Sequence, residues 1–129
     1  MLAETAVEFE DLGVNSTEPV DYPLPAARVA QQVAEGNFQR AILFCGTGIG
    51  VCIAANKVPG IRAANCTTSY EAMVSRQHND ANVLCLGGRV LGVGVAKEIV
   101  KAWLATEFEG GRHARRVAQM RDLETRYMK

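Results

Sequence analysis

Apolar and polar positions along the chain fall into two alternating periods, short strand-like runs and longer stretches with helical spacing. Residues 7–12 (VEFEDL) alternate apolar and acidic, as a strand with one buried face does. Residues 15–19 (NSTEP) collect the side chains that turns favour. Residues 22–35 predict a helix. Pro23 and Pro25 fall in its first turn, where a missing N–H costs little, and Ala26, Val29, Ala30 and Val33 recur at three- and four-residue spacing. Residues 41–45 (AILFC) form a continuous apolar run, the pattern of a strand buried on both faces of a parallel sheet. A glycine-rich loop, 46–50, follows at once, then a helix over 49–57 closed by Val58-Pro59-Gly60. Further along come a strand at 62–66, a helix at 69–77 with Thr68 or Ser69 as N-cap, and a strand at 82–86 broken by Gly87-Gly88. A helix over 93–106 carries Ala96, Ile99, Val100, Trp103 and Leu104 on one face. Behind Gly110-Gly111, a last helix over 112–127 carries Val117, Met120, Leu123 and Tyr127, a stripe suited either to the chain's own core or to a partner.

Strands alternating with helices predict an α/β domain, a Rossmann-like three-layer sandwich around a parallel sheet with four strands visible. Its length of 129 residues fits one domain, and no repeat or linker-like shift divides it. Fourteen basic residues balance fourteen acidic ones, which argues against a sequence-blind nucleic-acid binder. No apolar run approaches the length of a membrane span, and the first residues lack a basic leader and an apolar core, so a cytoplasmic protein is expected. The cysteines Cys45, Cys52, Cys66 and Cys85 show neither a CxxC pair nor zinc-ligand spacing, and the last three read as small core hydrophobes.

Open parallel sheets bind ligands at the carboxyl ends of their strands, which draws attention to Cys45 and the loop GTGIG. Gly46, Gly48 and Gly50 let the backbone turn sharply and present its N–H groups, and the helix that follows adds the positive end of its dipole. Such a nest suits a phosphate or a developing oxyanion, and a thiol at its rim should ionise more readily than usual. The spacing is neither a P-loop nor a complete GxGxxG fingerprint, so a plain tight turn with a buried strand-end cysteine remains open at this point.

CGTGIG followed by IAANKVPGIRAA resembles the signature of the ribose-5-phosphate isomerase B family and its galactose-6-phosphate isomerase relatives. So do DYP at 21–23, RQHNDANVLCLGGR at 76–89 and EGGRHARR at 109–116, in family order and over nearly the whole chain. The resemblance implies an aldose–ketose isomerase of the pentose phosphate pathway that uses no cofactor and no metal and works through a cis-enediolate. Cys45 matches the family's base. Some members place a carboxylate just after the last loop glycine; Val51 stands there and cannot take protons, which supports Cys45. Thr47 and the N–H groups of Gly46, Gly48, Ile49 and Gly50 match the enediolate cradle. His78 matches the ring-opening histidine, Asn79 a substrate hydrogen-bonder and Tyr22 a wall of the sugar pocket. Arg89, Arg112 and Arg116 match positions used on the substrate phosphate; the last two, four apart, share a helix face and can act as two guanidinium forks. Arg115 lies on another face. Without the resemblance, His78 would read as a histidine at a helix C-terminus, Tyr22 as core packing and the arginines as a solvated turn. His113 reads as structural, at a subunit contact.

The family also implies a homodimer or dimer of dimers with sites built from both subunits. Its members start one strand, an Asp-His motif and one helix earlier, so residues 1–129 read as a single domain truncated at its N-terminus and lacking its first strand. Such a chain is expected to expose sheet edges, to be poorly stable and to turn over slowly. The alternatives are a galactose-6-phosphate or allose-6-phosphate isomerase, a catalytically impaired sugar-phosphate-binding fragment, and a thiol redox sensor pairing Cys45 with Cys52.

Overall fold

The computed structural model describes residues 9–10 and 21–128. The predicted turn at 15–19, and all of the predicted strand at 7–12 except Phe9 and Glu10, lie outside the described residues. Eight elements follow in order: α1 (Pro23–Ala34), β1 (Ala41–Cys45), α2 (Ile49–Ala55), β2 (Ala63–Asn65), α3 (Ser69–Asn79), β3 (Val83–Gly87), α4 (Val93–Ala105) and α5 (Arg112–Tyr127). Among the described residues the sheet has three parallel strands in the order β1-β3-β2. Ala41 lies opposite Val83, Cys45 opposite Gly87, and Ala63 opposite Val83, so all three strands start at one edge and finish at the other.

β3 is buried from end to end because it is the central strand, with helices over both faces. Its side chains alternate between two cores, as a pleated strand requires. Val83 and Cys85 join Leu43, Val51, Ala55, Ile61 and the Ala26–Ala30–Val33 stripe of α1. Leu84 and Leu86 join Cys66, Ala72, Ile99, Val100 and the fully buried Trp103 on the other side. Helices α1 and α2 therefore cover one face and α3 and α4 the other, which is the three-layer sandwich expected from the sequence. Arg40, leading into β1, donates to the carbonyls of Trp103 and Leu104 and ties that strand to the end of α4.

Two expectations change. β1 is not buried on both faces: only Leu43 is, and Phe44 is 53% exposed. Ile42 packs against the α3/α4 core, while Phe44, next on that face, lies beyond its cover. Cys52 packs against the first core but, unlike Cys66 and Cys85, is only half-buried. Its Sγ donates to the Ala63 carbonyl at 3.4 Å, and contact with the buried Cys85 thiol lowers its pKa while raising that of Cys85. Along α5, Val117 is buried but Met120, Leu123 and Tyr127 are exposed, so the helix commits only its first half to the chain's own core.

Candidate active site

The residues expected to act together divide between the two edges of the sheet. At the finishing edge, Cys45 ends β1 and the chain turns at once through Gly46–Thr47–Gly48 into α2. Gly48 has φ +83°, a left-handed conformation that favours glycine, and a side chain there would collide with Asn65 Oδ1. With that turn in place, the Gly48 N–H donates to Cys45 Sγ at 3.1 Å. Burial on its own would raise the pKa of this thiol; the N–H groups of Val51, Thr47, Gly48 and Gly50 outweigh it, and the net shift is downward. The sulfur is half-buried rather than sealed. One donor of the loop is taken internally, since the Ile49 N–H reaches Thr47 Oγ1 at 3.2 Å.

Two other expected residues join this edge. Tyr22, which opens α1, stands so close to Gly50 that any side chain on that glycine would strike its ring. Arg89 lies in the loop after β3; its N–H donates to the Gly46 carbonyl at 3.0 Å, and its side chain runs alongside Gly46. The neighbouring Gly88 N–H donates to the Cys45 carbonyl at 2.8 Å, which fastens the two loops together. Asn65 was missed in the sequence. Its Nδ2 donates to the Thr47 carbonyl at 3.4 Å, and its buried Oδ1 has no protein partner. The signal was topological: Asn65 ends β2, on the edge where ligands bind in such sheets.

The remaining expected residues lie at the starting edge. Helix α3 leaves the finishing end of β2 and runs back to the start of β3, so His78 and Asn79, its last residues, sit beside the strand starts. The Ala81 N–H donates to the Ser75 carbonyl, and that of Asn82 to the Arg62 carbonyl, fixing this junction. The Glu109 N–H donates to the Gln77 carbonyl, which brings the beginning of α5 to the same place. Arg112 and Arg116 are exposed there, one turn apart, and so is Arg115. The rings of His78 and His113 stack with centroids 4.2 Å apart and planes 11° from parallel. Glu109 Oε1 faces both, 4.0 Å from Nε2 of His78 and 3.7 Å from Nε2 of His113. Burial lowers the pKa of His113, and the charges of His78 and Arg112 add to that.

One chain therefore carries two partial constellations. The first offers a thiol poised for ionisation, backbone donors, a phenol and an arginine. The second offers an imidazole, an amide and two arginines on one helix face. They are separated by the length of β3, whose four residue steps span ~13 Å.

Comparisons with known proteins identify the family. A family profile described as Ribose/Galactose Isomerase matches residues 1–120. The chain is 52% identical over 125 residues to ribose-5-phosphate isomerase B of Escherichia coli, covering 97% of this chain and 84% of that protein. It is 48% identical over 119 residues to a D-erythrulose-4-phosphate isomerase of Pectobacterium atrosepticum, covering 92% of this chain and 76% of the relative. Among solved structures, ribose-5-phosphate isomerase B of Clostridium thermocellum superposes with a TM-score of 0.94 at 52% identity, over 98% of this chain and 85% of that one.

Proposed function

Because the chain belongs to the ribose/galactose isomerase family and is a sugar-phosphate isomerase, we propose that it interconverts ribose 5-phosphate and ribulose 5-phosphate with Cys45 as the base. In this reading the Cys45 thiolate removes the proton on C2 of the open-chain aldose and returns it to C1. Electrons from the broken C2–H bond pass into the C1–C2 bond as the C1 carbonyl becomes an enediolate oxygen; the O2 proton then passes to O1, the O2 electrons form the C2 carbonyl, and the C1–C2 electrons take the proton back at C1. Thr47 and the N–H groups of Gly46 and Gly50 hold that negative charge, joined by those of Gly48 and Ile49 as they turn from Cys45 Sγ and Thr47 Oγ1 to the substrate oxygen, an oxyanion-hole role that backbone donors perform well. His78 opens the sugar ring as acid and base, and Asn79 and Tyr22 hold its hydroxyls. Arg89, Arg112 and Arg116 take the phosphate. Residues 1–129 act as one domain of the pentose phosphate pathway in the cytoplasm.

The observation that carries the reading is the 3.1 Å hydrogen bond from the Gly48 N–H to Cys45 Sγ, inside a ring of amides that lowers the thiol's pKa. A cysteine merely packed at a strand end would have its pKa raised by burial, as that of Cys66 is. The placement of Cys45 and His78 at opposite edges favours a site completed by a second copy, in which one protomer supplies Cys45, Thr47, Tyr22 and Arg89 and its partner supplies His78, Asn79, Arg112 and Arg116.

Replacing Cys45 with alanine tests the base. Isomerisation should fall by about 10²–10⁴-fold, the usual worth of a positioned general base, with the melting curve intact. Turnover within a few-fold of the parent would remove Cys45 from the mechanism. The similarity to an erythrulose-4-phosphate isomerase supports a second substrate reading. The ratio of kcat/KM for ribose 5-phosphate against erythrulose 4-phosphate, galactose 6-phosphate and allose 6-phosphate decides between them.

A further inference from the structure

We propose that His78, Glu109 and His113 form a binding site for a borderline divalent cation such as Zn²⁺, and that the bound ion inhibits the isomerase by occupying the His78 imidazole. The three residues come from the end of α3, the α4–α5 connection and the first turn of α5, and each presents one donor atom to a common space in which all three lie within 4.8 Å of one another. A four-coordinate zinc with bonds near 2.0–2.2 Å places its ligand atoms roughly 3.4 Å apart. The Nε2–Oε1 separations of 3.7 and 4.0 Å thus need roughly 0.3 and 0.6 Å of closure, and the two imidazole donors must also draw together from within 4.8 Å. The two rings, now 11° from parallel, must also tilt so that their lone pairs converge. His113 is held firmly, with its side chain 9% exposed, whereas His78 and Glu109 are open enough to move and to leave a fourth position to water. The connection itself is anchored, because the Glu109 N–H donates to the Gln77 carbonyl one residue before His78.

Two imidazoles and one carboxylate select zinc, cobalt or nickel over magnesium or calcium, which prefer all-oxygen cages. The guanidinium groups of Arg112 and Arg116 lie close enough to act on His113 and oppose a dication, so binding should be reversible rather than structural. The inhibitory consequence rests on the ring-opening role given above to His78; the binding does not. A metal held here ties three elements together and should raise the melting temperature as its concentration rises.

The test is calorimetric titration of the full chain with Zn²⁺, alongside the visible spectrum of the Co²⁺ form. One equivalent should bind, with a spectrum of nitrogen and oxygen ligation, and Zn²⁺ should inhibit over the same concentration range. Glu109→Gln, an exposed change that leaves the fold untouched, and His113→Ala should each weaken binding about tenfold or more. Co²⁺ binding with a thiolate charge-transfer band, unchanged in both variants, would move the metal to the cysteines and overturn the site, as would no binding at all. Binding that both variants weaken but that leaves turnover untouched upholds the site, overturns the inhibition and counts against His78 as the ring-opening group.

Discussion

A thiol surrounded by backbone N–H groups keeps its negative charge more readily than one in water, and at Cys45 this gain competes with burial. Burial raises the pKa; the amides of Val51, Thr47, Gly48 and Gly50 lower it and prevail. The consequence for pH has a definite sign. An acid whose folded pKa lies below its unfolded value contributes stability that is complete above the unfolded value, about 8.5 for cysteine, and is lost as pH falls through the folded one. Reactivity follows the same titration, so alkylation of Cys45 by iodoacetamide should show a midpoint below about 8.5, the ordinary cysteine value. The acid limb of the pH–rate profile should track it. A midpoint at or above the ordinary value would leave the amides without effect. Gly48 is the residue on which this balance depends. Replacing it with alanine imposes a left-handed conformation worth about 1–2 kcal/mol, and the new methyl meets Asn65 Oδ1. Thermal unfolding should register at least that loss, and the alkylation midpoint should rise as the amide turns away from the sulfur.

Helix α3 shows how one element is held at both ends. At its start Thr68 Oγ1 accepts from the Glu71 N–H at 3.1 Å, while Glu71 Oε1 accepts from the Thr67 N–H and hydroxyl at 2.7 Å each. Thr68→Ala should therefore cost about 1 kcal/mol in chemical denaturation, the usual worth of an N-cap. The Thr67 hydroxyl and N–H pull the Glu71 pKa below that of an ordinary carboxylate. Its stabilisation is complete above the unfolded value and fades as pH falls through the folded one, so Glu71→Gln should flatten the acid side of the stability profile. At the far end the buried Arg76 guanidinium donates to Asp80 Oδ1 at 2.9 Å and to the Ala81 carbonyl at 2.7 Å, where the chain leaves the helix through Asp80 at φ 49°. Arg76→Met should cost about 1–3 kcal/mol by stranding that carbonyl, and should loosen the junction that positions His78. The elements themselves were legible in the sequence: the stripe of α1, the N-cap at Thr68 and the span of α5 needed only local spacing. Exposure was not. The run at 41–45 looks the same whether or not both of its faces are covered, and only the packing of α3 and α4 shows that their cover reaches Ile42 and leaves Phe44 exposed. Cys52 likewise reads as a core residue until α2 is seen to leave its sulfur beside the Ala63 carbonyl. Of the site, the loop after β1 was legible because glycine spacing is local. Asn65 and the triad of His78, Glu109 and His113 were not, because tertiary contacts alone bring their elements together.

For the whole molecule, the parallel sheet has a consequence that no single element carries. Every helix that follows a strand returns to the edge where the strands begin, so residues at strand ends and residues at helix ends are kept apart by the fold itself. Cys45 belongs to the first class, His78 to the second, and closing the gap within one chain would require dismantling β3. A two-fold pair of chains removes the difficulty, because a symmetric partner can set its starting edge against the other's finishing edge, and symmetry then makes two equivalent sites. The half-exposed α5, with Met120, Leu123 and Tyr127 uncovered, begins at the edge that would meet the partner. Complementation tests the arrangement directly. Cys45→Ala and His78→Ala chains should each be nearly inactive alone. Unfolded together in equal amounts and refolded, they should reassort at random, so that half the dimers are mixed and each mixed dimer holds one intact site and one doubly impaired site. Activity should then recover to about a quarter of that of the unmodified protein, a fraction set by two-fold symmetry alone. If the mixture stays as inactive as its components while size measurements show mixed dimers, Cys45 and His78 must serve the same site from the same chain, and the division of the site between protomers fails.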